Sequence, residues 1–232
     1  MNLETDEDTR VVVLTGAGPA FSAGMDLKEY FRANDNNPDG QFRAYNANKH
    51  WQWDILSMMR KPTIAMVNGF CFGGAFTPLV GCDLAIAADE ARFGLSEVNW
   101  GILPGGIVSK VVQMTMSHRD AVFYSMTGRF FSGKEAAAMK LVNLSVPLAN
   151  LRAETVQICN ELIEKPPMAL AYTKQAIRAV TTMDVPASAE YLAAKVNALR
   201  WIDRDKDARN QGIEKFIDKK EYRPGLQTVK VT

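Results

Sequence analysis

Residues 68–106, NGFCFGGAFTPLVGCDLAIAADEARFGLSEVNWGILPGG, decide how the chain is read. A glycine pair, Gly73 and Gly74, stands between an apolar run and a small-residue segment. Further on, one acid, Glu97, sits in an otherwise apolar stretch that ends in Pro104-Gly105-Gly106. Glycine lets backbone amides approach a ligand closely. A glycine turn followed by a lone carboxylate points to chemistry on a carbonyl.

Working outward, apolar β-branched runs alternate with helical patterns. Residues 10–15 (RVVVLT), 63–67 (TIAMV) and 83–88 (DLAIAA) read as strands buried on both faces, and 91–94 (ARFG) as a fourth. Asp26 is placed to cap a short helix over residues 28–32. Residues 33–40 (ANDNNPDG) read as a polar, mobile loop. Phe42, Tyr45, Lys49, Trp53, Leu56 and Met59 recur at helical spacing, which predicts a helix over residues 41–60 that Pro62 ends.

A short helix should open at Gly73-Gly74 and run to Val80. Helices are expected over residues 107–116 and 119–127, and Ser132 with Glu135 forms a capping box. A strand at 141–146 ends at Pro147. Helices follow over 148–165, 167–180, 186–203 and 208–219. The fold class is therefore α/β. Residues 1–147 form the core, and 148–232 form a helical region offering an oligomer surface.

Composition narrows the functions. The 232 residues are 47% hydrophobic, enough for a sizeable core. A formal charge of +1 gives no reason to expect nucleic acid or an anionic membrane as partner. The mixed charges at residues 203–207 read as a solvated helix face. Three cysteines, Cys71, Cys82 and Cys159, show no metal-ligand spacing and suit a reduced cytoplasm. Neither a leader pattern nor an apolar run of about 18 residues is seen. His50 and His118 support neither a zinc site nor a serine triad.

Two small-residue turns, residues 22–25 and 71–75, each follow a buried strand. If they are neighbours, one N–H from each can grip a single oxygen, with the positive end of the helix after Gly74 adding to the grip. Equally, such glycines serve tight turns and close packing alone. Glu97 is either an acid/base with a shifted pKa or a structural, paired carboxylate.

The strings FSAGMDLKEY (21–30), KPTIAMVNG (61–69) and FGLSEVNWGILPGG (93–106), in this order and spacing, resemble the crotonase, or enoyl-CoA hydratase/isomerase, superfamily. Within it the chain is most similar to hydroxycinnamoyl-CoA hydratase-lyases, through GMDLKEYF, WQW, VSK at 108–110 and PGLQ at 224–227. The resemblance implies a crotonase-like spiral of ββα units with a trailing helical region, assembled as a homotrimer or a dimer of trimers. It implies a thioester oxygen held by the amides of Met25 and Gly74. Coenzyme A arrives with the substrate, and no metal or redox cofactor is implied.

The same resemblance distributes roles. Ordinary hydratases carry two glutamates. The second matches Glu97, whereas the first falls at Thr77, which implies a single-acid reaction with Thr77 either positioning water or back-bonding within its helix. Tyr30 and Tyr191 match positions that meet a ring 4-hydroxyl, though each also fits ordinary helix packing. Ala23 and Lys28 fall on the substrate side, Lys28 also reaching a CoA phosphate, and Phe216 and Lys219 approach the adenine end. The implied activity is hydration and cleavage of a 4-hydroxycinnamoyl-CoA to an aromatic aldehyde and acetyl-CoA. Another crotonase-family hydratase or isomerase, or a non-catalytic acyl-CoA-binding member, is the competing reading.

One departure stands out. Relatives begin with further strands that contribute to the CoA adenine pocket, whereas here the strand at residues 11–14 comes almost at once. The N-terminal strands are expected to be missing, with an exposed sheet edge and weaker CoA binding than a full-length relative.

Overall fold

The computed structural model describes residues 2–202 and 208–220. The mixed-charge segment at 203–207 and the PGLQ string at 224–227 lie outside the described residues. Among the described residues no helix is long and apolar enough to cross a membrane. The chain divides into two compact units. One comprises Val12–Met58 and Thr63–Val156; the other comprises Met1–Val11, Met59–Pro62 and Gln157–Thr232. The division falls inside the helix Leu148–Ile163.

The first unit is built on two four-stranded sheets. Strands β1 (Val12–Thr15), β2 (Ala20–Ser22), β3 (Thr63–Val67), β4 (Phe70–Phe72), β5 (Leu84–Ala88), β6 (Arg92–Gly94), β7 (Phe130–Ser132) and β8 (Leu144–Val146) sort alternately between them. One sheet has the order β1-β3-β5-β8 and is parallel throughout. The other has the order β2-β4-β6-β7, parallel except for the last pair. Each turn of chain thus lays one strand in the first sheet, bends at a corner, and lays a short strand in the second. The alternation of elements predicts the α/β class, and the spiral is the one that the family resemblance implies.

The apolar runs explain β3 and β5, the middle strands of the first sheet, whereas β1, expected to be buried on both faces, is an edge strand with Val13 39% exposed. Ile64, Ala65, Val67, Ile86, Ala87 and Ala88 are all 0% exposed, as strands covered on both faces require. Asp83 clamps β3 where it starts: its Oδ2 accepts from Thr63 N and Thr63 Oγ1, both at 2.9 Å. At the far end Asn68 ties the corners together. Its Nδ2 donates to Gly18 O at 2.7 Å, and its Oδ1 accepts from Gly16 N at 3.1 Å. Phe70 N donates to Pro19 O at 3.2 Å, so β2 and β4 leave the corner side by side. At this corner Gly18, Pro19, Asn68, Phe70, Glu90 and Arg92 are among the residues lining a cavity of about 310 Å³, and none of its lining residues is a candidate site residue.

Differences from the sequence reading are local. The polar run at 33–40 is not a loop. Arg32–Asn34 forms a 3-10 turn, and the helix Pro38–Lys49 begins there, capped by Asn37, whose Oδ1 accepts from Gly40 N at 2.9 Å. That helix widens into a π turn at His50–Ile55 before Leu56–Met58. The widening breaks the predicted face, so Phe42 is 70% exposed while Leu56 and Met59 are 8% exposed. Asp26 caps as expected, accepting from Lys28 N and Glu29 N at 2.8 Å, but the turn it caps, Leu27–Phe31, is also π. The Ser132–Glu135 capping box is present.

The second unit, taken by itself, contains the helices Pro167–Val180 and Val185–Ile202, which pack on each other. Arg10 donates to the carbonyls of Ile163 and Lys165, and Lys61 donates to those of Leu3 and Asp6. These bonds tie the N-terminal segment to the end of the helix Leu148–Ile163 and to the segment before β3.

Candidate active site

The glycine turn and the acid are held by one aromatic cluster. Phe76, in the helix Phe76–Gly81, meets Phe93 of β6 and Phe131 of β7 edge-on, at 6.3 and 6.4 Å between centroids. Phe93 and Phe131 stack at 5.4 Å. Phe76 and Phe93 are fully buried. Gly74 therefore lies two residues from one wall of the cluster and Glu97 four residues from another, so packing fixes the distance between them.

The backbone then closes around a small space. Gly73 adopts φ +53°, and a Cβ built on it would stand 3.2 Å from Glu97 Oε1. The carboxylate thus lies against the bare glycine. Gly24 adopts φ +92°, and a Cβ there would lie 2.8 Å from Phe72 O and 3.4 Å from Gly74 N. Only glycine lets the two turns approach this closely. A Cβ on Gly74 would meet Met25 Cγ at 3.1 Å and Met25 N at 3.6 Å. The turns at 22–25 and 71–75 are neighbours, as β2 pairs with β4. Met25 N–H makes no hydrogen bond within the chain among the described residues. Gly74 is second in the 3-10 turn Gly73–Ala75, where an N–H has no intrahelical acceptor. Two amides in this arrangement can share one oxyanion.

Glu97 opens the one-turn 3-10 helix Glu97–Trp100, which Gly101 ends at φ +71°. Its backbone oxygen accepts from Ile102 N at 3.2 Å. Its side-chain Oε2 is buried without a hydrogen-bond partner among the described residues. Burial pushes the carboxyl above the usual carboxylate range, with a backbone hydrogen bond pulling partly the other way. A carboxylate with one buried, unpartnered oxygen and a raised pKa is suited to taking and returning protons.

The remaining candidates are dispersed. Thr77 is 3% exposed, in the helix that follows Gly74. Ala23 is exposed in the first turn. The Lys28 side chain is 84% exposed and lies 3.9 Å from the Glu29 carboxylate. Tyr30 is half-buried. Burial pushes its phenol upward, and Tyr45 adds to the effect. Tyr45 was legible in the sequence only as one member of an apolar helix face.

In the other unit, Tyr191 lies with its ring 5.5 Å from Lys195 Nζ, which also covers Tyr172 at 5.1 Å and donates to Gln175 Oε1 at 3.0 Å. Phe216 is 47% exposed, and Lys219 pairs with Glu214 at 2.9 Å.

The profile of the enoyl-CoA hydratase/isomerase family matches residues 1–224. The chain is 50% identical over 229 residues to the hydroxycinnamoyl-CoA hydratase-lyase of Pseudomonas fluorescens, covering 98% of this chain and 83% of that protein. It is 32% identical to the short-chain-enoyl-CoA hydratase of Clostridium acetobutylicum, over 92% of this chain and 80% of that one. Among solved structures, an enoyl-CoA hydratase from Bacillus anthracis superposes with a TM-score of 0.81 at 29% identity, over 94% of this chain and 81% of that chain. The chain belongs to the enoyl-CoA hydratase/isomerase family.

Proposed function

We propose that this family member is a hydratase-lyase acting on 4-hydroxycinnamoyl-CoA thioesters, such as coumaroyl-, caffeoyl- or feruloyl-CoA. The observation that carries the reading is the 50% identity, over nearly the whole chain, to a hydroxycinnamoyl-CoA hydratase-lyase. A second feature agrees with it: Glu97 lies against Gly73, while Thr77 stands where ordinary hydratases carry another acid.

In this reading the thioester oxygen sits between the amides of Met25 and Gly74. Glu97 takes a proton from water, and the oxygen adds to the β-carbon. The electron pair moves to the thioester oxygen, where the two amides hold it. Glu97 returns its proton to the α-carbon, giving the β-hydroxy thioester. It then takes the β-hydroxyl proton, the Cα–Cβ bond breaks, and the aldehyde leaves. The remaining acetyl-CoA enolate rests in the same hole until Glu97 protonates it. One carboxylate and one oxyanion hole serve both halves, and each is regenerated.

Thr77 positions the attacking water. Tyr30 and Tyr191 orient the ring through its 4-hydroxyl, and Ala23 lines the acyl side. Lys28 reaches a CoA phosphate, with Phe216 and Lys219 towards the adenine. The protein works in the cytoplasm as a homotrimer or a dimer of trimers. Support for assembly comes from exposed apolar residues around the site, with Trp100 70%, Leu103 72% and Met126 71% exposed. A monomeric mass by light scattering would contradict it.

The test is a comparison of substrates. Feruloyl-CoA should be consumed much faster than crotonyl-CoA. Rapid hydration of crotonyl-CoA with feruloyl-CoA untouched would favour an ordinary hydratase, and binding without turnover across a panel would favour a non-catalytic member.

A further inference from the structure

The spacing of the Met25 and Gly74 amides depends on the register of a very short strand pair. β2 and β4 are paired at Ala20↔Phe70 and at Ser22↔Cys71, with an irregularity between them. Two residues of β2 pass for one of β4, which is the signature of a β-bulge. Beyond the bulge, Met25 lies three residues after Ser22 and Gly74 three residues after Cys71. The bulge therefore brings the two N–H groups level. A slip of one residue would set a different amide beside Gly74 and turn the side chains of β2 to the other face.

The end of the pair away from the site is fastened by a single side chain. Asn68 stands in the corner between β3 and β4. Its Nδ2 donates to Gly18 O at 2.7 Å and to Gly16 O at 3.2 Å, and its Oδ1 accepts from Gly16 N at 3.1 Å. Gly16 and Gly18 belong to the corner between β1 and β2. One carboxamide thus joins the corner that opens β2 to the corner that opens β4. The corners also touch backbone to backbone, for a Cβ on Gly69 would overlap Pro19 O. At the site end, Gly24 N donates to Ser22 Oγ at 3.3 Å, which folds the first turn back onto β2 with Met25 N–H as the next amide. The set at Asn68 needs two donor hydrogens and an acceptor on one short side chain. Aspartate lacks the donors, and alanine lacks both.

We propose that Asn68 is a positioning residue for the oxyanion hole. It holds the register of β2 on β4, and through it the spacing of the Met25 and Gly74 amides, without touching the thioester. The inference rests on the thioester-oxygen reading above, not on the aryl ring.

The experiment reads the hole directly. In the Glu97→Gln background, 4-coumaroyl-CoA labelled with carbon-13 at the thioester carbonyl is bound and its C=O stretch followed by infrared difference spectroscopy. Two amide donors should move the stretch to lower frequency than in water, and adding Asn68→Ala should take away much of that shift. With Glu97 intact, Asn68→Ala should lower kcat by about a hundredfold, as a small misplacement set far from the chemistry can, while KM changes little. Asp83→Ala, which unclamps the start of β3, is the control. It should lower the melt yet keep both the shift and kcat.

A normal shift and kcat in Asn68→Ala, whatever its melt, would overturn the inference, as would an equal loss of both in Asp83→Ala. Should Asn68→Ala not fold, Asn68→Asp keeps the acceptor for Gly16 N and carries the same comparison. A parent whose bound thioester shows no shift would overturn the oxyanion hole and this inference with it. A parent that binds crotonyl-CoA but not 4-coumaroyl-CoA would overturn the aryl reading alone, and the same comparison is then made on labelled crotonyl-CoA.

Discussion

Replacing Glu97 by glutamine should move activity and stability in opposite directions. The side chain keeps its shape but loses its charge and basicity. Loss of a general base costs about 10²–10⁴ in rate, or roughly 2.7–5.4 kcal/mol of barrier. Because the same carboxylate is assigned to hydration and to cleavage, we expect aldehyde release to fall by about 10³-fold, with thioester binding largely unchanged. Stability should rise. Glu97 Oε2 is buried without a partner, and such an atom costs about 1–3 kcal/mol, more when charged. The amide keeps part of that cost, which leaves a gain of about 1 kcal/mol, or 2–4 °C in Tm for a chain of this size.

The gain has a pH signature. Burial raises the folded carboxyl above its ordinary value. Below that ordinary value both states are protonated, and Glu97 carries no penalty. As pH rises towards the folded value the unfolded state ionises first, so the wild type loses relative stability. The advantage of Glu97→Gln should therefore grow as pH rises above the usual glutamate pKa and vanish below about pH 4. In the wild type the acid limb of kcat/KM should lie above that value. Steady-state kinetics and calorimetry over pH 4–8 read both effects. A variant within tenfold of the wild-type rate, or one destabilised at neutral pH, would refute the reasoning.

Three further substitutions test neighbouring claims. Gly73→Ala places a methyl 3.2 Å from Glu97 Oε1 at a φ of +53°; the left-handed backbone alone costs about 1–2 kcal/mol, and we expect a lower Tm with a fall in kcat larger than the change in KM. Thr77→Val removes the hydroxyl at nearly constant volume, and a slowed hydration step with an unchanged melt would assign it to water, whereas a lower Tm with normal kinetics would make it structural. Asp83→Ala strips the acceptor from Thr63 N, which is 0% exposed; chemical denaturation should show a loss of about 3 kcal/mol, and a loss under 1 kcal/mol would contradict the clamp.

Much of the fold could be read from composition and periodicity, though unevenly. The runs VVVLT, TIAMV and DLAIAA are long and β-branched enough to mark β1, β3 and β5. The second sheet was largely invisible. Its strands Ala20–Ser22, Phe70–Phe72 and Phe130–Ser132 are three residues each, too short to establish an alternation. Only Arg92–Gly94, flanked by Ala91 and Leu95, was anticipated.

The π turn at His50–Ile55 defeats a 3.6-residue reading because it adds a residue to the turn. At the site, Glu97 and the two glycine turns were legible as chemistry-bearing types. Their closeness was not, since it depends on β2 pairing with β4 and on the phenylalanine cluster.

The central claim is that one carboxylate and one pair of amides hydrate and then cleave a hydroxycinnamoyl thioester. The most direct measurement incubates the protein with feruloyl-CoA and follows vanillin and acetyl-CoA together. The account predicts that both appear in equal amounts, at rates abolished in parallel by Glu97→Gln. Accumulation of the β-hydroxy thioester without aldehyde, or unchanged feruloyl-CoA beside rapid hydration of crotonyl-CoA, would contradict it.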